Sequence, residues 1–143
     1  MPAGGVVRDT LLLDHDERKS PRGRFVGLRG TAIEIALPPG LKLRHDDYLV
    51  LDDGGLIEIV ARPEPLIEVR AHDVTALARV AWLLGDHHIP VELSERRLRV
   101  RPGAPVETLL QALDVTLRRI EAPFEPEGGA YDHAAQGNDN ATV

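Results

Sequence analysis

The sequence of 143 residues contains no cysteine. That absence excludes disulfide staples, thiolate metal sites and cysteine nucleophiles together. Any bound metal must be held by imidazole, carboxylate, carbonyl or water, which shifts the choice away from the softest ions. Aromatic residues are scarce at 3% of the chain. Few rings are on hand to stack on bases, and the core must be built mainly from Leu, Ile, Val and Ala. Positive charge is in deficit, with a formal net charge of -6 at pH 7, which argues against nucleic acid because that partner wants a basic face. No apolar run approaches the roughly 20 residues needed to cross a bilayer. Leu11-Leu12-Leu13 is interrupted at once by Asp14. The opening Met1-Pro2-Ala3-Gly4-Gly5 lacks a charged segment followed by a long apolar one, so no signal peptide is read and the cytoplasm is the expected compartment.

What is present reads as globular. Hydrophobic residues make up 43% of the chain, and the length suits one compact domain or two small ones. From residue 11 to 60 the punctuation is that of a β domain with no helical period. Ile33-Glu34-Ile35-Ala36-Leu37 alternates, with its branched residues on one face. Turn signals follow at Pro38-Pro39-Gly40, His45-Asp46-Asp47 and Asp52-Asp53-Gly54-Gly55. Residues 48–51 and 56–60 flank the last of these and predict a hairpin. Ala61-Arg62-Pro63-Glu64-Pro65 breaks the pattern with two prolines and marks a junction.

Beyond it the order becomes strand, helix, strand, strand, helix, strand. Residues 66–70 suit a strand. Asp73 suits the cap of a helix with Val74, Leu77, Ala78, Ala81 and Leu84 as its apolar stripe and Gly85 as its stop. Residues 91–93 and 98–100 form the next strand pair. Pro105 opens a helix carrying Val106, Leu109, Leu110 and Leu113, and residues 115–120 close the series. The expectation is an α+β chain: a β-rich domain over 1–65, a ferredoxin-like βαββαβ domain over 66–124, and a flexible tail over 125–143, where polar composition cannot offset the ordering entropy.

Six histidines are the strongest ligand candidates. His15, His45 and His72 read as solvated polar residues at turns or element ends. His87 and His88 follow Gly85 and precede Pro90, which keeps them in a loop. Extended backbone would point neighbouring side chains apart, so one ion is rarely gripped by both. A two-fold axis through that loop would pair one imidazole with its own copy. From spacing alone, a loop histidine satisfied by water or backbone is the stronger reading, because helix geometry fixes no second ligand nearby. His133, in the tail, is a ligand that can swing toward a held metal and release it, which suits a carrier; a residue without a role is equally compatible with the composition. The basic cluster Arg18, Lys19, Arg22 and Arg24 reads first as a solvated strand face and second as a dock for an acidic partner.

The segment Ala76-Leu77-Ala78-Arg79-Val80-Ala81-Trp82-Leu83-Leu84-Gly85-Asp86-His87-His88-Ile89-Pro90-Val91 resembles the helix and metal loop of the urease accessory metallochaperone family (UreE), whose usual loop reads Gly-Asn-Arg-His-x-Pro. Ala122-Pro123-Phe124-Glu125-Pro126-Glu127-Gly128-Gly129-Ala130-Tyr131 is similar to the family's signature before its histidine-bearing tail. Glu17-Arg18-Lys19-Ser20 and Leu37-Pro38-Pro39-Gly40 resemble its N-terminal domain, so the likeness spans nearly the whole chain. The resemblance implies a β-rich partner- or peptide-binding domain, a ferredoxin-like domain that binds metal, and a head-to-head homodimer through residues 66–124. It implies a non-enzymatic carrier that delivers Ni(II) as cargo to apo-urease alongside an accessory GTPase, with neither nucleic acid nor membrane as partner. It places the interface ligand on His88 and the tail ligand on His133. Asp86 and His87 depart from the usual Asn and Arg, which makes His87 a further candidate ligand.

Two His88 side chains would then hold the ion, with water and His133 filling other positions, at about one ion per dimer given how few imidazoles are available. Neutral imidazole is required, so binding is expected to weaken as pH falls through about 6.5, the ordinary histidine value. Cu(II) or Zn(II) is expected at the same site in vitro, so selectivity must come from supply and partner. The rival readings are a small ferredoxin-like enzyme, such as an acyl-phosphate or metal-dependent hydrolase, and an RNA-processing factor. Against the first stand the missing glycine-rich anion loop and the missing carboxylate pair around a histidine. Against the second stand acidity and scarce aromatics.

Overall fold

The computed structural model describes residues 5–128. The chain divides into two compact units, Met1–Arg62 and Pro63–Val143.

The first unit contains β1 (Val7–Leu13), α1 (His15–Lys19), β2 (Arg22–Val26), β3 (Ala32–Ala36), β4 (Tyr48–Val50) and β5 (Leu56–Ala61). β5 lies between β1, to which it is parallel, and β4, its antiparallel hairpin partner. β2 and β3 form a separate antiparallel pair. Period-two alternation sends Leu11, Leu13, Ile33, Ile35, Ile57 and Ile59 into one core, joined by Leu43.

Asp9 is buried at the start of this core. Burial pushes its carboxyl up, but N–H groups of Arg29, Thr10 and Thr31, with the Thr31 hydroxyl, outweigh that and hold it at about 2. The carboxylate thereby ties β1 to the turn between β2 and β3. Gly27 is required there, since a Cβ would collide with the Asp9 carboxylate.

The helix α1 was not expected. A helix of five residues is too short to show an apolar stripe, and its signal is local instead. Asp14 accepts from the Glu17 amide at 2.8 Å while Glu17 accepts from the Asp14 amide at 2.9 Å, a reciprocal capping box. Arg18 is correspondingly not on a solvated strand face. It is 2% exposed and its Nε donates to the Leu13 carbonyl at 3.2 Å.

The second unit contains β6 (Glu64–Arg70), α2 (Val74–Asp86), β7 (Glu92–Leu93), β8 (Leu98–Val100), α3 (Ala104–Gln111) and β9 (Thr116–Ala122). Its sheet runs β7-β8-β6-β9 with every neighbour antiparallel. This is the βαββαβ succession expected from the sequence, and the whole chain is α+β. Pro65, read as part of the junction, lies inside β6 opposite Glu121. β8 pairs β6 only from Ile67 to Val69, which leaves Pro65 a free edge where a missing N–H is tolerated.

One face of the sheet carries Ile67, Val69, Leu98 and Val100, and both helices bury their stripes against it: Leu77, Val80 and Leu84 from α2, Val106 and Leu110 from α3. Val74 and Ala78 are exposed, contrary to expectation. At about 100° per residue the Leu77–Val80–Leu84 stripe centres the buried face elsewhere, and the larger side chains win it.

Across the opposite face of the sheet Glu68, 4% exposed, stands among Arg70, Arg97 and Arg99 at 2.8, 3.5 and 3.8 Å. The Arg70 hydrogen bond outweighs burial, and the field of all three guanidinium groups adds to it, so the Glu68 carboxyl is held below the usual range.

The tail read as mobile from residue 125 is anchored at its root. Phe124 is 0% exposed, and the amides of Glu125 and Glu127 are hydrogen-bonded to residues 92 and 91. Composition averaged over a polar stretch conceals a single buried ring.

Candidate metal-binding loop

Asp73 caps α2 by accepting from the Ala76 amide at 2.7 Å. The helix does not stop at Gly85 but runs to Asp86, with His87 as C-cap. The His88 amide donates to the Gly85 carbonyl at 3.0 Å and the Ile89 amide to the Leu84 carbonyl at 2.9 Å. This pair of bonds is a Schellman closure, in which the residue after the C-cap takes the left-handed conformation. Glycine is the usual occupant. Here it is His88, at φ 59°. The motif's hydrophobic contact is supplied by Ile89 and Leu84, which share one core.

The backbone at residues 87 and 88 is therefore a turn rather than an extended segment, with φ of -85° and 59°. The premise that extended geometry separates the two side chains does not hold. Both imidazoles are exposed, and the closure fixes the backbone from which each departs. Asp86, the last helical residue, is exposed beside them.

Upstream on α2 an exposed apolar stripe leads to this loop. Val74 is 75% exposed, Ala78 is exposed, and Trp82, the chain's one tryptophan, is 68% exposed. These positions recur every four residues and so lie on one side of the helix. Trp82 was missed in the sequence reading. Its signal is an aromatic placed off the Leu77–Val80–Leu84 stripe, where burial within the same unit cannot reach it.

The other histidines separate clearly. His15 opens α1 and is half-buried. His45 is more than a solvated residue: its Nδ1 accepts from the Ala61 amide at 3.1 Å, and its Nε2 lies 3.4 Å from Asp46. His72 lies 3.3 Å from Asp73, the cap of α2. Among the described residues no group of three His, Asp or Glu side chains could hold a metal ion. His133 lies outside the described residues.

Of the basic cluster, Lys19 and Arg22 line a cleft of about 320 Å³ together with Leu37, Pro38, Pro39 and Leu41. Arg24 is exposed on β2. Among the described residues no helix is long and apolar enough to cross a membrane.

Comparison with known proteins identifies the family. The family description "UreE urease accessory protein, N-terminal domain" matches residues 2–62, and "UreE urease accessory protein, C-terminal domain" matches residues 64–142. A urease accessory protein UreE of Beijerinckia indica subsp. indica is 47% identical over 92% of this chain and 75% of its own length. That of Rhodopseudomonas palustris (strain BisB18) is 44% identical over 92% of this chain and 62% of its own length. That of Chelativorans sp. (strain BNC1) is 39% identical, covering 91% and 83%. The chain thus spans between about three-fifths and four-fifths of the length of these relatives. With both domain descriptions matched over almost the entire sequence, the chain belongs to the UreE urease accessory protein family, an accessory family and not a family of enzymes.

Proposed function

We propose that this protein is a cytoplasmic nickel carrier that delivers Ni(II) to apo-urease during assembly of its active site, working with an accessory GTPase. The observation that carries the reading is the exposed His88, held in a left-handed position that glycine would fill with less strain. A surface imidazole fixed at a backbone cost is what a ligand requires and a solvated loop residue does not.

A single imidazole holds a divalent ion weakly. The stripe of Val74, Ala78 and Trp82 offers the second subunit a surface to cover. A two-fold axis beside the end of α2 would bring two His88 side chains together, so the homodimer through residues 66–124 and the metal site are one feature. Water, His133 and His87 complete the coordination. About one ion per dimer follows from so few ligands, and Cu(II) or Zn(II) would compete for it in vitro.

Calorimetric titration of the purified protein with Ni(II), with mass followed by light scattering, tests the reading. The wild type should bind about one ion per dimer tightly, and His88→Ala should lose that site. Retention of the tight site in His88→Ala, or a monomeric protein that binds nickel equally well, would refute it.

A further inference from the structure

In the second unit, cations concentrate on the face of the sheet turned away from both helices. Cross-strand register sets Arg99 of β8 and Arg118 of β9 on either side of Glu68 in β6. Glu92 of β7 stands opposite Arg99. Arg70 and Arg97 occupy the next same-face positions of their strands, and both reach Glu68. The alternation holds at β9, where Arg119, next to Arg118, faces the helices and pairs with Glu107 of α3.

Two carboxylates cannot satisfy four guanidinium groups. Four arginines present about twenty N–H donors, and two glutamates offer about eight acceptor sites. Four cations less two anions leave two positive charges here, on a chain whose formal net charge is -6. One unmet donor is visible inside the cluster: Arg99 Nε is buried, with no hydrogen-bond partner among the described residues. The rest of the surplus points outward. The side chains of Arg70 and Arg97 are 51% and 36% exposed, and Arg118 is exposed. Buried Glu68 already restrains Arg70, Arg97 and Arg99, so these side chains have less rotamer freedom to lose when a ligand arrives.

We propose that this arginine patch is a docking surface for an acidic protein partner, whose carboxylates take up the donors that Glu68 and Glu92 leave over. The inference goes beyond the nickel reading and does not depend on it. Charge complementarity selects the occupant. A guanidinium fork matches a carboxylate in two parallel hydrogen bonds, and Arg70 already donates to Glu68 at 2.8 Å. A nucleic acid would carry its phosphates past the patch onto the rest of an acidic chain. A compact acidic surface confined to the sheet face meets the cations alone. Exposed ion pairs are individually weak, so the patch supplies a fast, salt-sensitive encounter and a fixed orientation.

The test uses the full chain without metal and a fluorescent oligoglutamate peptide, read by anisotropy at low ionic strength. The peptide should bind, and added salt should weaken it progressively. Arg70→Ala combined with Arg118→Ala should weaken binding about three- to tenfold. Arg118→Glu, a change at an exposed rim position that leaves Glu68 and its three partners in place, should weaken it at least as much. Arg79→Ala, at an exposed position on α2, should leave it unchanged. Far-UV circular dichroism confirms the fold of each variant. No binding of oligoglutamate, or equal affinity in Arg118→Glu and Arg79→Ala, would overturn the proposal. So would tighter binding of an oligothymidylate of the same length, which would make the patch a phosphate surface.

Discussion

The Ile89 amide donates to the Leu84 carbonyl at 2.9 Å, and this bond closes α2 around His88. It commits the residue between them to a left-handed backbone, at φ 59°. An L-residue there carries a steric penalty on the order of 1 kcal/mol that glycine avoids. The sequence accepts that penalty at the position where the proposed function needs its interface imidazole.

His88→Gly should therefore raise stability by about 0.5–1 kcal/mol while removing the nickel site. His88→Ala removes the ligand without relieving the backbone and should bring no such gain. Urea denaturation of the three proteins, each titrated with Ni(II), checks both statements. A destabilised His88→Gly would show that the side chain itself supports the closure.

Trp82→Glu should leave the second unit folded, since Trp82 is 68% exposed and lies outside the core. It should shift the dimer toward monomer by placing two carboxylates where apolar surface is to be covered. Light scattering at micromolar concentration reads the mass, and tight nickel binding should fall with the dimer. An unchanged dimer would place the interface elsewhere.

Asp9→Asn should flatten the acid limb of stability. The folded carboxyl is depressed to about 2, below the ordinary value of about 3.9. Its stabilising contribution is therefore complete above about pH 4 and is lost as pH falls toward 2. Circular dichroism during acid titration should show the wild type losing stability across that window, and Asp9→Asn starting lower and changing less.

Glu68→Gln should destabilise the second unit by about 1–3 kcal/mol, because Arg70, Arg97 and Arg99 would then face one another without the carboxylate between them. Added salt should recover part of the loss by screening the three cations. Chemical denaturation at low and high ionic strength measures both effects.

Much of this was legible in one dimension. Ile33 and Ile35 alternate into the core because a strand has a period of two. The hairpin of β4 and β5 followed from Asp52-Asp53-Gly54-Gly55. The βαββαβ order followed from where periods and breakers fall. α1 was hidden because five residues cannot display a stripe, although the Asp14–Glu17 box announces it locally. The end of α2 was misplaced at Gly85 because glycine is the usual stop, whereas here Ile89 docking on the core draws the closure onward to His88.

By itself the sequence determined most of the elements, the absence of thiolate chemistry and the small set of histidines from which any imidazole ligand must come. These depend on residue identity and on periods of two and 3.6, which are local quantities. Tertiary structure alone decided that His88 occupies the left-handed position, that Trp82 is left outside the core, and that Phe124 is buried while Glu92 accepts from the Glu125 amide. Each of those depends on which surfaces meet across long stretches of sequence, and burial is settled by that competition and not by any residue's own preference.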